Sequence, residues 1–332
     1  MDRGGDSVTL LCRTAANLYW AGRHLERAEA LARVVREHTA LMVDLPTRVP
    51  LGWDALLAIP GTPGVTTIGN DERAVMQRLL ADLTNPSSLA ATLGHARENL
   101  RTTRPVLPRG TWRIVNELTG AVRDGIDSGV RRSGRDAFCE RIIASCQRLD
   151  GFLAGGMSRD ETWNFYRLGV AVERTDMVTR VLDVRAGALV GGGDDLGRDG
   201  LYRDAQWMSL LRSLDALQMY RRTTGAMIEP RRVLRFVLHD GRFPRSLRFG
   251  LDRIDRLTAD LPPAPPVRAA TDGARATLEA ATTEPETAEA LSAFADRLQT
   301  DLIVLDGALD TAYFTGAEVV DPEGGDLVDS GP

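Results

Sequence analysis

The sequence predicts an all-α protein, a multi-helix bundle of roughly ten helices with two long, equivalent central helices. Three observations predict it. Apolar residues recur at three- and four-residue spacings along nearly the whole chain, while alternating apolar and polar runs are scarce. Helix starts and stops punctuate the chain at intervals that suit helices of ordinary length. One short pattern also occurs twice, 147 residues apart, each time inside a long helical stretch.

The elements follow in order. A first long helix is expected over 7–43, ended by Pro46 and Pro50, which cannot continue it. The stretch 61–70, GTPGVTTIGN, reads as a loop. Asn85-Pro86 reads as an N-cap with proline at the first helical position. Ser158-Arg159-Asp160-Glu161 has capping-box spacing and opens the second long helix. The stretch 187–200, rich in Gly and Asp, reads as a loop. Phe243-Pro244 should begin a helix with Arg245 and Ser246 in its first turn. Pro262 to Pro266 reads as a stiff turn, and Thr283-Glu284-Pro285-Glu286 opens a last helix continuing to Tyr313. We expect a single helical domain over 8–315, with two halves at 8–153 and 158–315, and an acidic, Gly-rich tail over 316–332 that is disordered. Outside the repeated pattern the halves do not match visibly, which argues against a solenoid.

Composition narrows the classes of function. The 332 residues are 43% hydrophobic and 26% charged, as in ordinary soluble proteins. No apolar run approaches the roughly 18 residues that cross a membrane, and no signal peptide is evident at the start. Three cysteines without a paired pattern point to a reducing cytoplasm, with Cys139 and Cys146 as small buried residues. All 41 basic residues are arginine, which excludes Schiff-base and Walker-type lysine chemistry. The net charge of −5 excludes a basic field spread over the whole protein, so no nucleic acid is expected as a partner.

The repeat is the best lead to function. Its first copy is Asn17-Leu18-Tyr19-Trp20-Ala21-Gly22-Arg23-His24-Leu25-Glu26-Arg27-Ala28-Glu29, with Arg33 further on. Its second is Asn164-Phe165-Tyr166-Arg167-Leu168-Gly169-Val170-Ala171-Val172-Glu173-Arg174-Thr175-Asp176, with Arg180 further on. At roughly 100° per residue, Tyr19, Gly22, Glu26, Glu29 and Arg33 form one stripe, matched by Tyr166, Gly169, Glu173, Asp176 and Arg180. Arg27 and Arg174 fall on a different, apolar flank, where each needs a partner, since an unpaired buried charge is costly. A glycine inside a helix costs about 0.5–1 kcal/mol against alanine, so its recurrence suggests close backbone approach at Gly22 and Gly169.

Two readings compete for the stripe. In one, the glutamates pair with arginines across a helix interface and the motif braces the bundle. In the other, both stripes face a shared cleft offering Glu26, Glu29, Glu173 and Asp176, rimmed by Arg33 and Arg180. Such a cleft could hold an ammonium or guanidinium group of a small polar or peptide ligand, or use Glu26 and Glu173 in acid–base catalysis. A divalent metal is a further use of facing carboxylates, but no His follows at Glu-x-x-His spacing, and no metal or other cofactor is expected. A second polar cluster, Asp240 to Arg248, places Arg245 and Ser246 where a helix N-terminus could bind phosphate or carboxylate, or simply form a turn with solvated arginines. His24, His38, His95 and His239 are scattered without metal-ligand spacing and read as packing or surface residues.

The opening Leu11-Cys12-Arg13-Thr14-Ala15-Ala16 with the first repeat, the second Glu-Arg copy, Phe243-Pro244-Arg245-Ser246 and the run from Trp207 to Tyr220 resemble the bacterial alpha-E family, over about 8–315. The resemblance implies an all-helical domain in which Glu26, Arg27, Glu173 and Arg174 are the motif positions. It carries over no established activity. It implies a cytoplasmic bacterial protein associated with a circularly permuted ATP-grasp protein and a transglutaminase-like protein, in a system that makes or modifies peptides by ATP-dependent amide-bond formation. On that basis an accessory or substrate-handling role is expected. The alternatives are a stand-alone enzyme acting on an amide or amine, or a scaffold without a ligand site.

Overall fold

Two long helices dominate the computed structural model: α1 (Cys12–Asp44) and α7 (Glu161–Val190). The structure describes residues 10–44, 52–60, 71–190, 199–281 and 288–315. Both long helices are apolar around most of their circumference and are covered on most sides. Along α1, Leu18, Ala21, Leu25, Ala28, Leu31, Ala32, Val34 and Val35 are all buried. Alanines at three of these places keep the surface low, so that other helices can come close.

The remaining helices are α2 (Ala55–Ala58), α3 (Glu72–Met76), α4 (Leu89–Thr102), α5 (Thr111–Val130), α6 (Arg132–Gly156), α8 (Asp199–Ser213), α9 (Leu217–Thr224), α10 (Pro230–His239), α11 (Leu247–Ala259), α12 (Pro265–Glu279) and α13 (Ala288–Leu309). Among the described residues there is no strand. The all-α expectation therefore holds, and the excess over roughly ten helices lies in short segments such as α2 and α3.

Around the central pair the two halves repeat each other. Helix α1 packs on α4 and α6, and α5 covers both from outside. Helix α7 packs on α11 and α13, and α12 covers both from outside. Helix α8 packs against α1 and α7 alike. This correspondence was invisible outside the motif, because a three-helix cover needs only an apolar stripe on each member and tolerates any sequence that supplies one.

Several boundaries differ from expectation for local reasons. Helix α4 is capped by Ser88, whose Oγ accepts from the Ala91 N–H; Asn85 instead caps a turn, accepting from the Ser87 N–H. At the start of α7 it is Asp160, not Ser158, that accepts from the Trp163 N–H. Asp160 stands immediately before the first helical residue, Glu161, in the N-cap place, whereas Ser158 lies two residues further out. Ser246 likewise lies just outside α11 as its N-cap, so Arg245 precedes the helix rather than joining its first turn. Helix α7 continues through Val190 and α8 begins at Asp199, narrowing the loop expected over 187–200. Pro265 stands at the first position of α12, which shortens the expected proline turn. The last helix runs through a final π-type turn to Phe314, past the expected Tyr313. Pro46, Pro50, the 61–70 loop, Thr283 to Glu286 and the tail over 316–332 lie outside the described residues. Among those described, no helix is long and apolar enough to cross a membrane.

Candidate functional site

The two copies of the motif meet where α1 and α7 cross. Gly22 and Gly169 sit against each other's helix. A Cβ on Gly22 would stand 2.3 Å from the Tyr166 carbonyl oxygen, and one on Gly169 would stand 1.9 Å from the Tyr19 carbonyl oxygen. The close backbone approach expected from the sequence is thus present, and the partner is the other copy.

The crossing brings each Glu-Arg pair onto its counterpart. Arg174 grips Glu26 with both arms, Nε to Oε1 at 2.8 Å and Nη2 to Oε2 at 2.6 Å. Arg27 grips Glu173 in the same way, at 2.5 and 3.0 Å. The dipeptide is therefore a reciprocal clamp: each helix offers one acid and receives one arginine. Two-pronged guanidinium–carboxylate pairs are among the stronger hydrogen-bonded contacts in proteins. The helical wheel separated Arg27 and Arg174 from the acidic stripe. The structure corrects this, because long guanidinium side chains cross from their flank to the acid of the facing helix.

Further groups complete two networks that share no hydrogen bond. In the first, Glu173 also accepts from Arg23 Nε at 2.7 Å, and Arg23 donates on to Asp306 of α13 at 2.6 Å. Tyr19 donates its hydroxyl to the same Asp306 oxygen at 2.5 Å. Asp176 is held one turn away by Arg180 at 2.9 Å. In the second, Arg245 lies 3.7 Å from Glu26 and 3.0 Å from Glu29. Glu29 is paired with Arg33 and accepts from Gln147 at 3.3 Å. Tyr166 donates to Asp150 of α6 at 3.0 Å, as Tyr19 does to Asp306. Each tyrosine thus reaches an aspartate that belongs to the opposite half.

Burial and charge set the chemistry of these acids. Glu173 is fully buried and Glu26 is 5% exposed. Burial pushes both carboxyls up, but the facing arginines outweigh it and hold them well below the usual carboxylate range: Arg174, Arg245 and Arg33 around Glu26, Arg27 and Arg23 around Glu173. Asp176 is the exception. Burial and then the neighbouring Glu173 push its carboxyl up against the pull of Arg180. Arg245 is brought down to about 10 by burial and by the nearby Arg174.

The four acids are therefore closed off by guanidinium groups rather than presented to one open cleft. Glu26 and Glu173, locked in two-pronged ion pairs, have little basicity and no free face for a substrate. Among the described residues no group of three or more His, Cys, Asp or Glu side chains is placed to hold a metal ion. Ser246 spends its hydroxyl on neighbouring backbone, accepting from the Phe249 N–H of α11 and donating to the Asp240 carbonyl at the end of α10. Arg245 turns inward to Glu29, so neither the anion site nor the solvated turn expected there is formed by these two residues. Arg242 and Phe243 of the same segment instead line a groove of about 1070 Å³ together with Arg222, Arg235 and Phe236.

Sequence reasoning missed Arg23, Asp150, Gln147 and Asp306. Arg23 had a local signal, since it follows Tyr19 by four residues. The other three carried none, because their role depends on which outer helix packs on which central one. His24 and His38 are packing residues, as expected: His24 stacks between Trp20 and His95, and His38 touches Arg185 and Trp53. Cys139 and Cys146 are buried thiols pushed well up by burial.

Comparison with known proteins agrees with the motif. The sequence is similar to the uncharacterized protein Mb2597 of Mycobacterium bovis and the uncharacterized protein MT2643 of Mycobacterium tuberculosis, at 27% identity over 275 residues in each case. The aligned part is 75% of this chain and 30% of each relative, so the chain spans about 30% of the length of the curated relatives it matches. No solved structure matches it. A family model described as "a predicted alpha-helical domain with a conserved ER motif" matches residues 10–314. Both clamp pairs, Glu26-Arg27 and Glu173-Arg174, are Glu-Arg dipeptides within the matched residues, and the chain belongs to the Alpha-E family.

Proposed function

We propose that this Alpha-E chain is an accessory, substrate-handling protein of an ATP-grasp amide-ligase system that makes or modifies peptides. In this reading the Glu-Arg clamp fixes the two halves together and takes no part in bond making. One observation carries the non-catalytic half of the reading: all four repeat acids are buried in ion pairs with arginines of their own chain. An acid–base catalyst needs a carboxyl of adjustable charge that reaches substrate, and Glu26 and Glu173 are pinned and enclosed.

The ligase partnership rests on the family resemblance. It is supported by the relatives, in which the aligned region is under a third of a much longer polypeptide. A domain carried as a minor part of longer chains suits a role beside other domains.

The test uses the full chain and a circularly permuted ATP-grasp protein from the same source. Co-elution on size exclusion, or a change in the ligase's ATP turnover when the chain is added, is the expected result. Separate elution with unchanged turnover would overturn the partnership. Loss of function in Glu26→Gln or Glu173→Gln at an unaltered melting temperature would overturn the bracing role and favour direct chemistry by these acids.

A further inference from the structure

We propose that the groove at the start of α1 and α5 binds a compact polyanion, a small molecule bearing several phosphate or carboxylate groups. The inference does not depend on the ligase reading. It begins from the one repeated polar residue that the clamp leaves unexplained, the asparagine that opens each copy. Neither Asn17 nor Asn164 has a side-chain hydrogen bond among the described residues, although Asn164 is only 6% exposed. The amide atoms of both still reach solvent, where a ligand can meet them. Each asparagine lines a groove that also carries arginines.

The groove at Asn17 is the better furnished. It encloses about 940 Å³, and Arg13, Arg101, Arg104 and Arg109 line it without any carboxylate in the wall. Small-ligand sites fall at roughly 300–1,000 Å³. Arginines elsewhere in this chain are repeatedly spent on acids, yet Arg13, Arg104 and Arg109 make no ion pair among the described residues. In a protein of net charge −5, three arginines on one wall that have no ion pair among the described residues form a local field of the opposite sign. Arg104 is held over the Trp112 ring at 5.0 Å, beside Arg97 at 4.7 Å, which limits its freedom before any ligand arrives.

A second, independent group points the same way. The Thr111 side chain lines this groove, is 2% exposed, and its hydroxyl has no partner among the described residues. Thr111 is the first residue of α5, a twenty-residue helix whose N-cap, Gly110, supplies no side-chain cap. An uncapped helix start, an orphaned hydroxyl and three guanidinium groups without an ion pair among the described residues converge on one space. That set of donors suits an anion with several oxygens and offers nothing to a cation. The matching groove at Asn164 is smaller, at about 590 Å³, and Asp260 stands in its wall beside Arg159, Arg253 and Arg256, so its field is weaker.

Isothermal titration of the full chain at low ionic strength tests the site with two probes, inorganic tripolyphosphate and a tetraglutamate peptide. At least one should bind saturably, and its affinity should fall as salt rises. The stronger probe tells whether phosphate or carboxylate is the natural group. Arg13→Ser with Arg109→Ser should weaken that binding about tenfold or more, because charge-assisted hydrogen bonds are lost. Thr111→Val should weaken it to a smaller degree. Arg222→Ser with Arg242→Ser, in the groove beside α10, should leave it unchanged. If the double variant does not fold, the exposed single change Arg109→Ser carries the test. Absence of saturable binding by either probe, wild-type affinity in the Arg13/Arg109 variant, or an equal loss in the Arg222/Arg242 control would each overturn the proposal.

Discussion

Gly22 and Gly169 face each other's backbone across the α1–α7 crossing, and no side chain fits between them. A Cβ at either place would fall within 2.3 Å of a carbonyl oxygen of the facing helix. The obstacle is backbone on both sides, so it cannot rotate away. The two helices must instead move apart, and the clamp pairs on both flanks would stretch with them. Gly22→Ala and Gly169→Ala should therefore each destabilise by about 3 kcal/mol or more, at the upper end of overpacking costs. Gly151 in the exposed part of α6 is the control. A Cβ there meets nothing within 4 Å, so Gly151→Ala should be neutral or should stabilise by about 0.5–1 kcal/mol. Chemical denaturation of the three variants reads the difference. A cost at Gly169 no larger than at Gly151 would contradict the crossing.

Glu173 is the more vulnerable of the two clamp acids. It is fully buried and holds two arginines, Arg27 and Arg23, whereas Arg174 holds Glu26 from one helix and Arg245 supplements it at 3.7 Å. Glu173→Gln leaves Arg27 without its counter-charge inside the protein and Arg23 with Asp306 alone, and should cost about 3–5 kcal/mol. Replacing a buried pair together is milder than breaking it, so adding Arg27→Met and Arg23→Met to Glu173→Met should recover part of that loss. Equal stability of the single and triple variants, measured by denaturant midpoint, would show that the charges are not interdependent.

The sequence made the fold class and the meeting of the two motif helices legible for different reasons. Helical periodicity is local, so the all-α reading followed from spacing alone. The glycines at equal places in both copies declared a close approach before any partner was known. The direction of the arginines was not legible. A helical wheel places Cα positions, and the guanidinium of Arg27 lies several bonds away, beside Glu173 on the other helix. Nor could the wheel find Asp306 and Asp150, whose contacts with Tyr19 and Tyr166 depend on how α13 and α6 dock. Cap positions slipped by one to three residues where two candidate acceptors stood close together, as at Ser158 and Asp160.

Divalent metal should have no effect on stability. To bind at the acids of the motif, a cation would have to displace guanidinium groups already bonded to both oxygens of Glu26 and of Glu173. Those arginines would then be left unpaired in the interior, at a cost that typical carboxylate–metal contacts do not offset for an ion that keeps its water. The melting temperature of the full chain should be the same with chelator as with added magnesium or manganese. An upward shift with either metal would mean that the acids can release their arginines, and would reopen the metal-assisted reading.

Acid should destabilise the protein in two stages, and the sign of each follows from the direction of its shift. Burial, and then Arg27, bring His24 down to about 3, and burial with Arg185 does the same to His38. In the unfolded chain both rings take up a proton below about 6.5, while the folded protein keeps them neutral. Stability from these two groups is thus complete above about 6.5 and is lost as the pH falls towards 3. The second stage belongs to Glu26 and Glu173. Their folded carboxyls titrate below the ordinary value of 4.5, so their contribution is complete above that value and is lost only in stronger acid. Asp176 works against this stage, because its carboxyl is pushed up and gains by taking a proton. The melting temperature of the wild type should therefore decline from about pH 6.5 downwards, and more steeply below about 4.5. His24→Phe should flatten the upper stage by roughly half and leave the lower one in place. A melting temperature that stays level between about pH 7 and 5, or a His24→Phe variant with the wild-type slope there, would show that the buried ring does not control the first stage.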